Sequence, residues 1–133
     1  MNLGRRDFVA AWFAAGACAL FQPAGKANAM GNMYGLIGKM IAVDGKRDAL
    51  SAILLEGLDS LPGCLSYVVA NDPKDKNAVW ITEVWDSKES HAASLQLPSV
   101  QSAIARARPM IAGFGERFET EPLGGLGLSK GKS

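Results

Sequence analysis

The chain is poor in the residues that metal and redox centres use. Its 133 residues include one histidine and two cysteines, Cys18 and Cys64. That supply argues against a zinc or copper site built from closely spaced soft ligands. It also lacks a block of like charge: the formal net charge is +1, with no interleaving of aromatic and basic residues. Nucleic acid is therefore not an expected partner. No strand–glycine-rich–helix fingerprint for a flavin or nicotinamide occurs. The segment Gly127 to Ser133 resembles a phosphate-binding loop, but the spacing requires glycine at position 126, which is Leu126. The expectation is a protein with no cofactor and no metal.

What is present is a globular composition, with 48% hydrophobic and 20% charged residues. The length suits one domain with a modest core. The N-terminus reads differently. Arg5-Arg6-Asp7-Phe8 is a twin-arginine start, followed by an apolar run from Val9 to Phe21. That run is shorter than the ~20 residues a membrane span needs. Pro23 and Gly25 break it, and Ala27-Asn28-Ala29 supplies small residues where a signal peptidase reads. Residues 1–29 are expected to be a twin-arginine signal peptide. The mature protein would then be periplasmic or otherwise extracytoplasmic, without stable membrane insertion. Translation from Met30 or Met33 would instead make it cytoplasmic. Loss of residues 1–29 removes Arg5, Arg6 and Lys26 against Asp7, so the formal charge of +1 becomes −1. Only Cys64 would remain, and no intrachain disulfide is possible.

Residues 30–121 read as the domain and 122–133 as a glycine-rich tail. Tyr34 to Val43 is a first strand, ended by Asp44-Gly45, with Asp44 placed to cap a helix. Leu50, Ile53, Leu54, Leu58 and Leu61 form a helical stripe over Lys46 to Leu61, stopped by Pro62-Gly63. Cys64 to Ala70 is a second strand. A polar turn through Asn77 makes a hairpin into a third, Ala78 to Trp85. Ser87 caps a short helix through Gln96, and Pro98 opens the next. Pro109 and Gly113 end that helix, and Glu116 to Thr120 is a last strand. The order is β-α-β-β-α-β, an α+β, ferredoxin-like arrangement with an antiparallel sheet. Strands one and three should be central, because both are apolar on both faces. Met40, Ala42, Trp80 and Val84 fall on faces opposite Ile41, Val43, Ile81 and Trp85. Helices can cover one face only, so the other calls for a second copy of the chain.

The chemistry concentrates in Val79 to His91. Glu83 and Trp85 alternate onto one strand face. A carboxylate there needs a partner. It either orients a polar group at a pocket floor, pairs with Arg106 or Arg108, or lies at a wet strand end. Trp85 offers an indole N–H to a substrate oxygen, or is plain core. His91 shares a helix face with Leu95 and can serve as general base, or sits at the surface. Asn71 follows the second strand directly and is a ligand for substrate oxygen or a turn residue.

Several runs together resemble the antibiotic biosynthesis monooxygenase family: Pro62-Gly63-Cys64, Asn71-Asp72-Pro73, Thr82-Glu83-Val84-Trp85 and Leu97-Pro98. Trp85 to His91 with Arg108 to Phe114 is similar to a quinol monooxygenase branch. The resemblance spans about Tyr34 to Glu121. It implies a dimeric α+β barrel, a pocket between helices and sheet, and oxidation of a small aromatic substrate with O₂. Glu83, Trp85 and Asn71 match the family's motif, and the expected site takes His91, Trp85 and Asn71 as catalytic and Glu83, Tyr67 and Ser94 as substrate-binding. Many members carry histidines where this chain has Ser94 and Ser99; His91 lies three residues before the first and stands as its substitute. A haem-binding reading would require histidine where Leu95 stands. The alternative is a non-catalytic dimeric module for a small aromatic ligand.

Overall fold

A computed structural model describes residues 32–128. The proposed export segment and residues 129–133 of the tail lie outside the described residues. The chain forms β1 (Tyr34–Ala42), α1 (Arg47–Leu54), β2 (Cys64–Asn71), β3 (Ala78–Trp85), α2 (Lys88–Ser94), α3 (Pro98–Ala107) and β4 (Ile111–Thr120). Short 3₁₀ turns at Leu58–Ser60 and Arg108–Met110 follow α1 and α3. The sheet order is β2-β3-β1-β4 with every neighbouring pair antiparallel, so β1 and β3 are central. Among the described residues no helix is long and apolar enough to cross a membrane.

Register decides which residues share a face. Met40 pairs with Val79 and Leu36 with Glu83, while Lys39 pairs with Trp80 and Ile37 with Thr82. Met40 and Ala42 therefore lie with Ile81 and Trp85 under the helices, not with Trp80 and Val84. Leu50 and Ile53 of α1, and Ala107 of α3, close over Met40, Ala42, Val79, Ile81 and Ile111. Tyr34, Leu36 and Trp85 form a second, smaller cluster. The opposite face carries Ile37, Ile41, Trp80, Val84, Val68 and Phe118. No described element covers it, and Val68 and Phe118 are each 52% exposed. One polar knot interrupts it: Asp72 accepts the Trp80 indole N–H at 3.0 Å and lies 3.6 Å from Lys39 Nζ.

Three local expectations are corrected. The first helix ends at Leu54 rather than Leu61, because Gly57 takes a left-handed conformation (φ 63°) that few other residues tolerate. Leu58 and Leu61 then continue the apolar stripe on a bent path. Asp44 does not cap this helix; no side chain does, and Asp44 lies 3.7 Å from Lys76 Nζ. The last strand begins at Ile111, not Glu116, because Gly113 and Gly115 are used by the sheet. Gly113 pairs with Ile41, and a β-carbon on Gly115 would come within 2.8 Å of the Lys39 side chain where β4 bulges. Ser87 caps α2 as expected, its Oγ accepting the Ser90 N–H at 3.0 Å, and Pro98 opens α3. Beyond Thr120 the described tail has no strand or helix.

Candidate active site

The two-residue period of β3 sets Glu83 and Trp85 side by side on the helix-covered face. The Trp85 indole N–H donates to Glu83 Oε1 at 2.8 Å, and both side chains are buried. The Ser87 cap fixes where α2 starts, which turns His91 inward one turn later. His91 Nε2 lies 3.9 Å from the same Oε1, too far for a hydrogen bond but within ion-pair range. The imidazole meets Trp85 edge-on, with ring centroids 5.4 Å apart, and Tyr34 at a tilt, 5.3 Å away. His91 is only 5% exposed, and its Nδ1 has no hydrogen-bond partner among the described residues.

Glu83, Trp85 and His91 form the floor of a cavity of about 350 Å³ between the sheet, α1 and α3. Leu36, Ile53, Leu58, Val100 and Ile104 make much of its wall apolar. Tyr67 enters from β2, directly opposite Glu83 in register. Ser94 is buried against the floor, its Oγ donating to the His91 carbonyl at 2.7 Å, and Ser99 also lines the cavity. At the wall, Arg106 of α3 grips Glu56 through two hydrogen bonds of 2.6 and 3.2 Å. Arg106 is thus engaged elsewhere and is not the partner of Glu83.

Burial controls the protonation of the pair. It pushes the Glu83 carboxyl up to about 7, against the lowering effects of the Trp85 N–H and the Arg117 charge. Burial, reinforced by Arg117, depresses the His91 imidazole to about 4. At pH 7 the imidazole is neutral and the carboxyl is the group that gains and loses a proton. Such a close pair titrates as a unit. Burial and the Glu83 charge also raise Tyr67, keeping its phenol protonated.

Five of the six residues expected in the site line this cavity: His91, Trp85, Glu83, Tyr67 and Ser94. Asn71 does not. It is exposed and pairs with Val79, four residues along β2 from Tyr67, or about 13 Å at ordinary strand rise. Nor is the Trp85 N–H left for a substrate oxygen, since Glu83 accepts it. Arg117 was not anticipated, yet its charge bears on Glu83, His91 and Tyr34. Its place opposite Gly38, on the Leu36 and Met40 face, follows from β4 pairing with β1. Among the described residues no three His, Cys, Asp or Glu side chains gather as metal ligands.

Residues 33–106 match the profile of the antibiotic biosynthesis monooxygenase family. A structure from Chloroflexus aurantiacus J-10-fl, described as a candidate antibiotic biosynthesis monooxygenase, is 69% identical with a TM-score of 0.71. The match covers 73% of this chain and 99% of that one. A similarly described protein from Caulobacter crescentus CB15 shares 16% identity at a TM-score of 0.64, over 71% and 92% of the two chains. At that identity the likeness speaks to fold alone. Among curated proteins none matches significantly. The profile match and the 69% identical relative, together with the four-stranded α+β architecture, show that the chain belongs to the antibiotic biosynthesis monooxygenase family.

Proposed function

We propose that this protein is a cofactor-independent monooxygenase that oxidises an electron-rich aromatic, a quinol, with O₂. The observation that carries the reading is a buried carboxyl, Glu83, that titrates near neutral pH at the floor of an apolar cavity. An acid–base group works best with a pKa near the working pH. Glu83 meets that condition better than His91, which the sequence alone had favoured as the base.

In this mechanism a phenolic hydroxyl lies against Glu83, whose carboxylate takes its proton. The phenolate passes one electron to O₂, and the resulting radicals combine to form a carbon–oxygen bond. The O–O bond then breaks as the ring C–H is lost, leaving a carbonyl and hydroxide, which takes a proton to become water. A benzene-1,4-diol and O₂ give a hydroxyquinone and water, and the substrate supplies all four electrons. The Trp85 N–H holds Glu83 in place, and neutral His91 gives the proton a second station. The protonated Tyr67 phenol donates toward the developing oxyanion, and Ser94 completes the floor. Asn71 has no part in this scheme.

The same proposal includes a homodimer, supported by the uncovered apolar face that contains Trp80 and Val84. It also includes export through the twin-arginine route, supported by Arg5-Arg6 and Ala27-Asn28-Ala29.

Oxygen uptake by metal-free, flavin-free protein against a panel of quinols tests the chemistry. One O₂ should be consumed per substrate without peroxide release. Glu83→Gln should lower kcat by about 10²–10⁴-fold, the usual contribution of a positioned base. Tight binding of aromatics with no oxygen uptake for any of them would replace this reading with that of a binding module.

A further inference from the structure

We propose that Tyr34 and Glu119 carry protons between the buried Glu83–His91 pair and solvent, through a second, charged cavity on the far side of His91. This inference rests on the reading of Glu83 and His91 as the proton-accepting pair. The second cavity, of about 510 Å³, is lined by Tyr34, Lys88, Glu119, Thr120 and Glu121. Tyr34 belongs to its wall and His91 to the wall of the first cavity, so the contact between their two rings separates the two spaces.

The groups follow one another at short distances. Glu83 Oε1 is 3.9 Å from His91 Nε2, and the His91 ring centroid is 5.3 Å from that of Tyr34. The Tyr34 hydroxyl donates to Glu119 Oε2 at 2.6 Å. The Glu119 side chain is 43% exposed and lies 3.8 Å from Lys88 Nζ. His91 Nδ1, buried without a partner, is a polar atom that the static contacts leave unsatisfied. The relay requires the proton to cross between the imidazole and the phenol at this ring contact, by way of one bridging water.

The charges suit a relay. Its hydrogen bond from Tyr34, with Lys88 and Arg117 nearby, holds the Glu119 carboxyl below its ordinary range, so it is ionised and ready to receive a proton. Burial and Glu119 push the Tyr34 phenol well above its ordinary range, so it does not become a standing phenolate. It accepts a proton on Oη while its own proton passes to Glu119 Oε2, and Glu119 releases that proton to water. The titratable and charged groups facing this route are Glu83 on β3, Arg117 and Glu119 on β4, Glu121 just beyond it, Lys88 on α2, and Tyr67 beside Glu83 on β2.

His91 is the only histidine in the chain, so its ring signals need no assignment. The test measures exchange of the ¹⁵N-labelled imidazole N–H with water near pH 7 in wild type, Tyr34→Phe, Glu119→Gln and Glu83→Gln. Tyr34→Phe keeps the ring contact, and Glu119→Gln lies at a half-exposed site that should fold. Both should slow exchange about 10²-fold, the low end of what a positioned proton carrier contributes; Tyr34→Phe should leave the His91 midpoint in place, while Glu119→Gln, which removes a charge that raises the imidazole, should lower it. Unchanged exchange in both, with His91 signals altered by Glu83→Gln, would overturn the relay and leave the base reading intact. Signals indifferent to Glu83→Gln would overturn the base reading, and the relay with it.

Discussion

Replacing Glu83 with glutamine isolates the energetic cost of the buried carboxyl. Glutamine keeps the volume and an oxygen to accept the Trp85 N–H, but it cannot ionise. In wild type the carboxyl titrates at about 7 when folded, against an ordinary 4.5. A carboxyl raised in the folded state favours folding when protonated. Its effect on stability is least adverse below pH 4.5 and worsens as pH rises through 7. The 2.5-unit gap corresponds to about 3 kcal/mol. Glu83→Gln should therefore gain about 3 kcal/mol relative to wild type between pH 4 and pH 8. His91 has the opposite dependence. Depressed to about 4 from 6.5, it costs the fold stability as pH falls from 6.5 through 4. Between about pH 4.5 and 6.5 the unfolded pair holds one proton on histidine, and the folded pair holds one on the carboxyl. The proton counts match, so the pair contributes almost no slope there in wild type. Glu83→Gln removes that compensation, and its stability should fall with acid by about 1.4 kcal/mol per unit across this window, relative to wild type. Urea unfolding at several pH values reads both effects; holding protein concentration fixed keeps any dimerisation term comparable. A wild-type-minus-variant difference that is constant from pH 4 to 8 would refute the reasoning. It would mean that Glu83 is solvated in the folded protein.

Two further outcomes test the proposed assembly and export. Val84→Lys puts a charge on the uncovered sheet face and should weaken the dimer at least ~10²-fold, as an unpaired buried charge does; light scattering that shows a stable monomer in wild type would remove the basis for the dimer. Mass spectrometry of protein from its native host should find an N-terminus at Met30, and an intact Met1 in soluble cytoplasm would count against export.

The geometry of the candidate site was legible wherever short-range spacing decides it. Glu83 and Trp85 are two apart on a strand, and two is the period of a strand. Ser87 is a good cap, and a cap sets the phase of the helix that turns His91 inward. Asn71 failed for a long-range reason. Its neighbours identify it as a strand end, but only the pairing of β2 with β3 shows that this is the wrong end, opposite Val79 rather than Glu83. The same gap misassigned Met40 and Ala42, because alternation tells which residues share a face within a strand and says nothing of which face meets the partner strand. Gly113 and Gly115 looked like breakers since glycine weakens isolated elements, yet β4 needs Gly115 where the Lys39 side chain crosses it.

Protonation was the least legible property, because it depends on depth and not on residue type. From sequence, histidine is the natural neutral-pH base and glutamate a standing anion. Placed together at 5% and 7% exposure, they exchange roles. Burial opposes charge of either sign, so it lowers the imidazole and raises the carboxyl, which brings the carboxyl to neutrality and takes the histidine out of range. Arg117 lies near enough to favour the carboxylate and disfavour the imidazolium, though not enough to reverse either shift. Which of the two groups titrates near neutral pH is therefore set by how deeply β3 and α2 are packed, and a change in that packing would shift that property between them without altering either side chain.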